Sequence, residues 1–246
     1  MRQPAVAGTF YPEDKEELQK MLDQFLSFSD QEKITNLHGI IVPHAGYIYS
    51  GRVAAKAFKA VPGRFERVIV LGPNHTVYTD EIVGDANESW ETPLGKVAVR
   101  IPEAFKTAVG PHLREHSLEV QLPFLQKVLG DSFEITPLIV GDISEEEIDR
   151  AAMIIDGMLD EKTLLVISTD LSHFHHLDDA RIIDKLTIDS IRNLQGPLDA
   201  CGANPIRVLH HIARKRDWRI HFLEYATSAD VTRDPHRVVG YASFWF

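Results

Sequence analysis

A single cysteine, Cys201, stands in this chain of 246 residues. With no second thiol, no intrachain disulfide can form, which excludes the disulfide-stapled secreted scaffolds. Long apolar runs are missing too: none approaches the roughly 20 residues that a membrane-spanning helix needs. Residues 1–12 hold no basic stretch followed by an apolar one, so no signal peptide is expected. Positive charge is scarce, with 26 Lys and Arg against 36 Asp and Glu and a net charge of −10. A surface of that sign repels nucleic-acid phosphates and anionic lipid, and the densest basic cluster, residues 214–219, reads as a solvated helix end. Repeats and low-complexity tracts are absent. The loop-rich stretch 193–205 leaves too little chain after it for a second core. The expectation is a cytoplasmic protein, one domain over residues 1–246, with neither nucleic acid nor membrane as partner.

Hydrophobic residues make up 44% of the chain, enough for one large core. Leu18, Met21, Leu22, Phe25 and Leu26 recur at helical spacing and predict a helix over 13–28. Short continuous apolar runs at 38–43, 67–72, 133–140 and 163–168 predict buried strands. Helical patterns occupy 53–61, 117–129, 144–159, 177–194 and 205–215. Two strand-like pieces within 80–100 flank a loop holding Trp90, and strands at 219–225 and 238–246 close the chain. Alternating strands and helices predict an α/β fold, a three-layer α/β/α sandwich about a largely parallel sheet.

Such sheets bind ligands beyond the carboxyl ends of their strands. His44 follows IIVP, His75 follows VIVLGPN, His173 follows LLVISTDLS and Asp230 follows FLEYATSA. Four residues able to ligate a metal thus lie just past four strand-like runs. Two histidines with one carboxylate suit Fe(II), and three histidines suit Zn²⁺. Asp170, three residues before His173, is a candidate to orient that ring or to ligate. Gly46 permits close approach of the backbone to a ligand beside His44. Tyr47, Asn74, His116, Glu119 and Tyr225 are the expected pocket residues. For His116 and Glu119, a role in capping the predicted helix over 117–129 is the plainer alternative. Cys201, among Gly202, Ala203 and Pro205, reads as a small packing residue.

Six segments resemble the Memo family in order along the chain: PAVAGTFYP at 4–12, PHAGYIYSG at 43–51, GPNH at 72–75, EHSLEVQLPFLQ at 115–126, STDLSH at 168–173 and YATSAD at 225–230. That resemblance implies a fold shared with the class III extradiol dioxygenases, the LigB-like enzymes. It also implies that His44 and His75 are metal ligands and His173 an acid/base or third ligand. At the remaining ligand position the dioxygenases have Glu and animal Memo proteins Cys; here Asp230 is the nearest substitute. Prokaryotic members of the family imply a link to a radical-SAM protein and an AMMECR-type protein.

Three functions follow as alternatives. The first is a metal-dependent oxidoreductase using Fe(II) or copper, with His173 moving a proton. The second is a non-catalytic binding or scaffold protein that takes a small molecule or peptide in the same cleft. The third is a Zn²⁺-dependent hydrolase with Glu119 or Asp170 as base.

Overall fold

The computed structural model describes residues 1–246. It is a mixed α/β structure of one eleven-stranded sheet and seven α-helices. Four strands form its parallel centre: β1 (Gly39–Val42), β8 (Thr163–Ser168), β2 (Arg67–Pro73) and β7 (Glu134–Val140), adjacent in that order. On one side β11 (Val238–Trp245) runs antiparallel to β1 and β10 (His221–Thr227) antiparallel to β11. On the other side β3 (Ile82–Gly84) runs antiparallel to β7, and β6 (Lys106–Thr107) lies beside β3. The sheet is therefore parallel at its centre and mixed at both margins.

The central strands are buried on both faces, as their unbroken apolar runs require. Ile40, Val42, Val68, Val70, Leu164 and Val166 belong to one apolar cluster, shared with α1 (Lys15–Phe28), α2 (Tyr47–Ala60) and α3 (Leu122–Leu129). Their alternate neighbours Ile41, Ile69, Leu71, Leu165 and Ile167 belong to a second, shared with α4 (Glu145–Met158) and α6 (Ala203–Arg216). Each such side chain contributes about 1.5–3 kcal/mol by leaving water. Helix starts follow local chemistry: Asp14 accepts from the N–H groups of Glu16 and Glu17, and Ser144 accepts from that of Glu147.

Several elements differ from the sequence expectation. Trp90 lies in a strand, β4 (Ser89–Thr92), paired with β5 (Gly95–Val99). α2 begins at Tyr47, ahead of the predicted 53. The helix predicted from 117 begins only at Leu122, with Pro123 in its first turn, where the missing N–H costs nothing. Ahead of it Glu119–Gln121 form a single 3₁₀ turn, with the Val120 N–H bonded to the His116 carbonyl, and the Glu115 carboxylate takes the Ser117 N–H at 2.8 Å. A short strand, β9 (His173–His175), pairs with β11, and its central Phe174 adopts a left-handed φ of 65°. α5 (Leu177–Arg192) follows, and α7 (Ala229–Thr232) is a single turn after β10. No helix is long and apolar enough to cross a membrane.

Candidate metal centre

Three neighbouring parallel strands deliver three side chains by the same step. His44 lies two residues beyond β1, Asp170 two beyond β8 and His75 two beyond β2. His116 arrives from the irregular segment before α3. Its ring stacks on His75 with centroids 4.7 Å apart and meets His44 edge-on at 5.4 Å. One ligand atom from each of His44, His75 and His116 lies within 4.8 Å of the others, a group able to hold a metal ion.

Hydrogen bonds orient the rings. The Ser168 hydroxyl donates to the Ser117 carbonyl at 2.6 Å and accepts from the Gln121 amide at 2.9 Å. With its one proton used, Ser168 Oγ accepts from His44 Nδ1 at 2.9 Å, so the His44 lone pair sits on Nε2. Glu115 does the same for His75: its carboxylate accepts the backbone N–H at 2.6 Å and ring Nδ1 at 3.0 Å. It also lies 3.4 Å from His116 Nδ1. Burial raises the Glu115 pKa, but the bonds from His75 and Ser117 outweigh it and leave it at about 2. The carboxylate is therefore ionised and acceptor-only, and the Nδ1–H of His75 points at it. Partners on Nδ1 that free Nε2 are the arrangement a metal-binding histidine needs.

Two of the three rings, His44 and His116, are held towards the neutral form. Burial, then the nearby His116, His75 and His173, holds His44 well below the ordinary histidine range. Burial also lowers His116 and His173. Neutral imidazoles are the ligating form. The residues present thus fit a first-row divalent ion.

The other expected site residues are placed as follows. His173 opens β9 and is half-buried at the rim, outside the three-histidine group. Asp170 turns to His44 and not to His173: it accepts the His44 backbone N–H at 2.8 Å. Burial raises its carboxyl to about 7. Asp230 is exposed in α7 and accepts from Thr227 N–H at 2.7 Å and Thr227 Oγ1 at 3.1 Å, the bonds of a turn cap. Tyr47 is in the core, its hydroxyl donating to the Val120 carbonyl. Tyr225 donates to Asp184. Glu119 is buried and ties down the N-terminal segment, accepting from Arg2, the N–H groups of Ala5 and Val6, and the Tyr11 hydroxyl. That segment reaches the site through Phe10, whose ring packs on His116 at 4.7 Å. The Asn74 carbonyl oxygen caps Thr76 and Val77, while its buried amide nitrogen has no partner.

Glu115, Gln121 and Ser168 are not among the residues expected at the site, although all three lie inside the six distinctive segments of the sequence. Cys201, which the sequence predicts to be a packing residue, has its Sγ 3.2 Å from His44 Nε2. Burial, and then the neighbouring Asp170, pushes this thiol up to about 12.

A family model described as "Memo-like protein" matches residues 2–245. A MEMO1 family protein of Aquifex aeolicus is 37% identical, covering 100% of this chain and 99% of its own length. One from Thermoplasma acidophilum is 36% identical, covering 98% and 97%, and one from Methanopyrus kandleri is 36% identical, covering 100% and 98%.

Proposed function

This chain belongs to the Memo-like protein family, and from that premise we propose that it is a metal-dependent oxidoreductase, a single three-layer α/β/α domain whose ion is held by His44, His75 and His116. The observation that carries this reading is the orientation of His44 and His75. Both Nδ1 atoms are committed to fixed acceptors, which leaves the Nε2 lone pairs for a shared ion. Fe(II) is the ion this reading favours, with copper and Zn²⁺ as alternatives. When bound, it supplies a Lewis-acidic, redox-capable centre with positions left for a small-molecule substrate.

The chain's own residues do the rest. Glu115 holds His75 and balances part of the ion's charge. Phe10 covers one side of His116 and excludes water there. His173, half-buried and neutral, takes a proton from a substrate hydroxyl at the rim. Asp230 stays outside the donor set as a turn cap.

Anaerobic loading with Fe(II), Cu(I) or Zn²⁺, followed by elemental analysis and oxygen uptake with catechols and small phenols, tests this. One ion per chain, lost in His44→Ala, His75→Ala and His116→Ala, with oxygen uptake by the loaded protein, is expected. Full metal content in all three variants would overturn the ligand set.

One feature favours the binding-protein reading instead. Ile48 and Tyr49 in the first turn of α2, Val77 and Tyr78 in the loop after β2, and Phe174 in β9 are all exposed. An apolar rim of this kind suits a partner surface. A ligand that binds equally to wild type and to the metal-free His44→Ala protein, without turnover in either, would favour that reading.

A further inference from the structure

A cavity of about 570 Å³ opens at the end of the sheet opposite the histidines, where β1, β2 and β8 begin. His38 enters it just before β1, Arg64 and Phe65 before β2, Glu161 before β8, and Arg216 and Trp218 at the end of α6. Six residues of extended chain, at about 3.3 Å each, separate His38 from His44, so this cavity lies roughly 20 Å from the imidazole cluster. Its volume suits one small molecule.

Local structure gives the cavity an aromatic wall. Asp217 takes a left-handed φ of 55° at the end of α6, and the Trp218 N–H then bonds back to the Ala213 carbonyl at 2.9 Å. The turn sets the indole against Phe246 at 5.6 Å and flat on the His38 ring, with centroids 4.5 Å apart and planes inclined by 7°. His38 is exposed, so the stack ends in a ring that can take one more flat partner.

Two guanidiniums are fixed beside it, largely by backbone. Arg64 donates to the carbonyls of Leu37 at 2.9 Å and Glu161 at 3.2 Å and pairs with no carboxylate. Arg216 donates to the carbonyls of Asp156 at 2.7 Å and Leu159 at 3.3 Å and pairs with the Asp156 carboxylate, which Lys215 shares. Neither Nη1 has a hydrogen bond within the protein. Both charges act on His38, whose pKa is lowered by burial and then by Arg216 and Arg64. Positive potential is thus gathered here in a chain of net charge −10. Of the two acids in the wall, Asp160 is tied to Arg67 and Thr163, while Glu161 is exposed and pairs with no cation.

We propose that this cavity binds a purine nucleoside monophosphate, with the base stacked on His38, the phosphate on Arg64 and Arg216, and the ribose hydroxyls on Glu161. Two guanidiniums from separate segments suit the three oxygens and near-double charge of a phosphate better than a carboxylate. The Glu161 carboxylate, an acceptor without donors, repels a bare anion and welcomes the hydroxyls of a sugar. The site shares no residue with the imidazole cluster and stands whether or not those rings hold an ion.

Calorimetric titration of the wild-type protein with adenosine 5′-monophosphate tests this. The expected Kd is below about 1 mM. Adenosine, ribose 5-phosphate and inorganic phosphate, each lacking at least one anchor, should bind at least about tenfold more weakly. Arg64→Gln and His38→Ala should each weaken the nucleotide by at least about tenfold. No saturation by the nucleotide up to about 1 mM would overturn the proposal. Inorganic phosphate bound as tightly as the nucleotide would also overturn it, leaving a simple anion site. Undiminished binding in both variants would place the nucleotide elsewhere and overturn it too. Circular dichroism identifies a variant that has failed to fold, and the wild-type ligand series then still decides.

Discussion

Glu115 grips His75 twice, taking its backbone N–H at 2.6 Å and its ring Nδ1 at 3.0 Å with the two oxygens of one carboxylate. The ring can then neither rotate nor change tautomer without breaking a charge-assisted bond. Glu115→Gln keeps the shape and removes the charge. It should weaken metal binding by about 10- to 100-fold, measured by competition with a chromophoric chelator. An unchanged affinity would mean that His75 needs no such partner.

Arg2 and Glu119 form a buried pair at 2.6 Å, and Glu119 takes four further hydrogen bonds from Ala5, Val6 and Tyr11. Glu119→Ala leaves an uncompensated guanidinium in the interior. The expected loss is about 3–5 kcal/mol of stability, read from urea unfolding. Because Phe10 belongs to the released segment, the same variant should make His116 accessible to diethylpyrocarbonate. Normal stability would show that the N-terminal segment is not an integral part of the fold.

Asp170 gives the centre an opposite pH signature from Glu115. Its folded pKa, about 7, lies above the ordinary 3.8, so the folded protein holds this proton more tightly than the unfolded chain does. Its contribution is complete below about pH 4, declines as pH rises to about 7 and is level above that. Glu115, lowered from 4.5 to about 2, contributes fully above its ordinary value and loses that contribution as pH falls toward 2. Asp170→Asn should therefore remove a decline of up to a few kcal/mol between about pH 4 and about pH 7. Urea unfolding of chelator-treated wild type and variant at both ends of that window checks it; identical pH profiles would count against the buried carboxyl.

Gly72 sits under the segment that carries His116. A Cβ there would come within 2.7 Å of Leu118 Cδ2 and 2.9 Å of Ser117 Oγ. Gly72→Ala should cost about 1–3 kcal/mol by overpacking and weaken metal binding by displacing His116. Thermal melts with and without Zn²⁺ measure both; a loss of stability with undiminished metal affinity would uncouple the two.

The histidines that follow strands were legible because an apolar run ending at a proline-bounded turn places the next polar residue at the sheet's carboxyl edge. His44 and His75 are such residues. His116 is not, because it stands in a segment whose irregular course is set by Glu115, Gln121 and Ser168 from outside any periodic pattern. Side-chain direction was the harder quantity. Asp170 shares a short turn with His173, yet parallel pairing of β1 with β8 brings the His44 N–H closer to it. Asp230 stands after a strand as expected, and a local bond to Thr227 turns its carboxylate back on its own chain. Cys201 carried no signal at all, since its nearness to His44 depends on the close seat of Gly202 against Thr169.

The position of β1 within the sheet fixes when the centre can come into being. His44 emerges early in synthesis, but β1 is flanked by β8 and β11, which lie more than a hundred residues further along the chain. Ser168, which sets the His44 tautomer, and Asp170, which holds its backbone, arrive with β8. A nascent chain still being translated therefore displays imidazoles with no common geometry, and pairings of such long range form late. An ion held by these imidazoles would therefore be acquired by the released, fully folded protein, after synthesis and not during it.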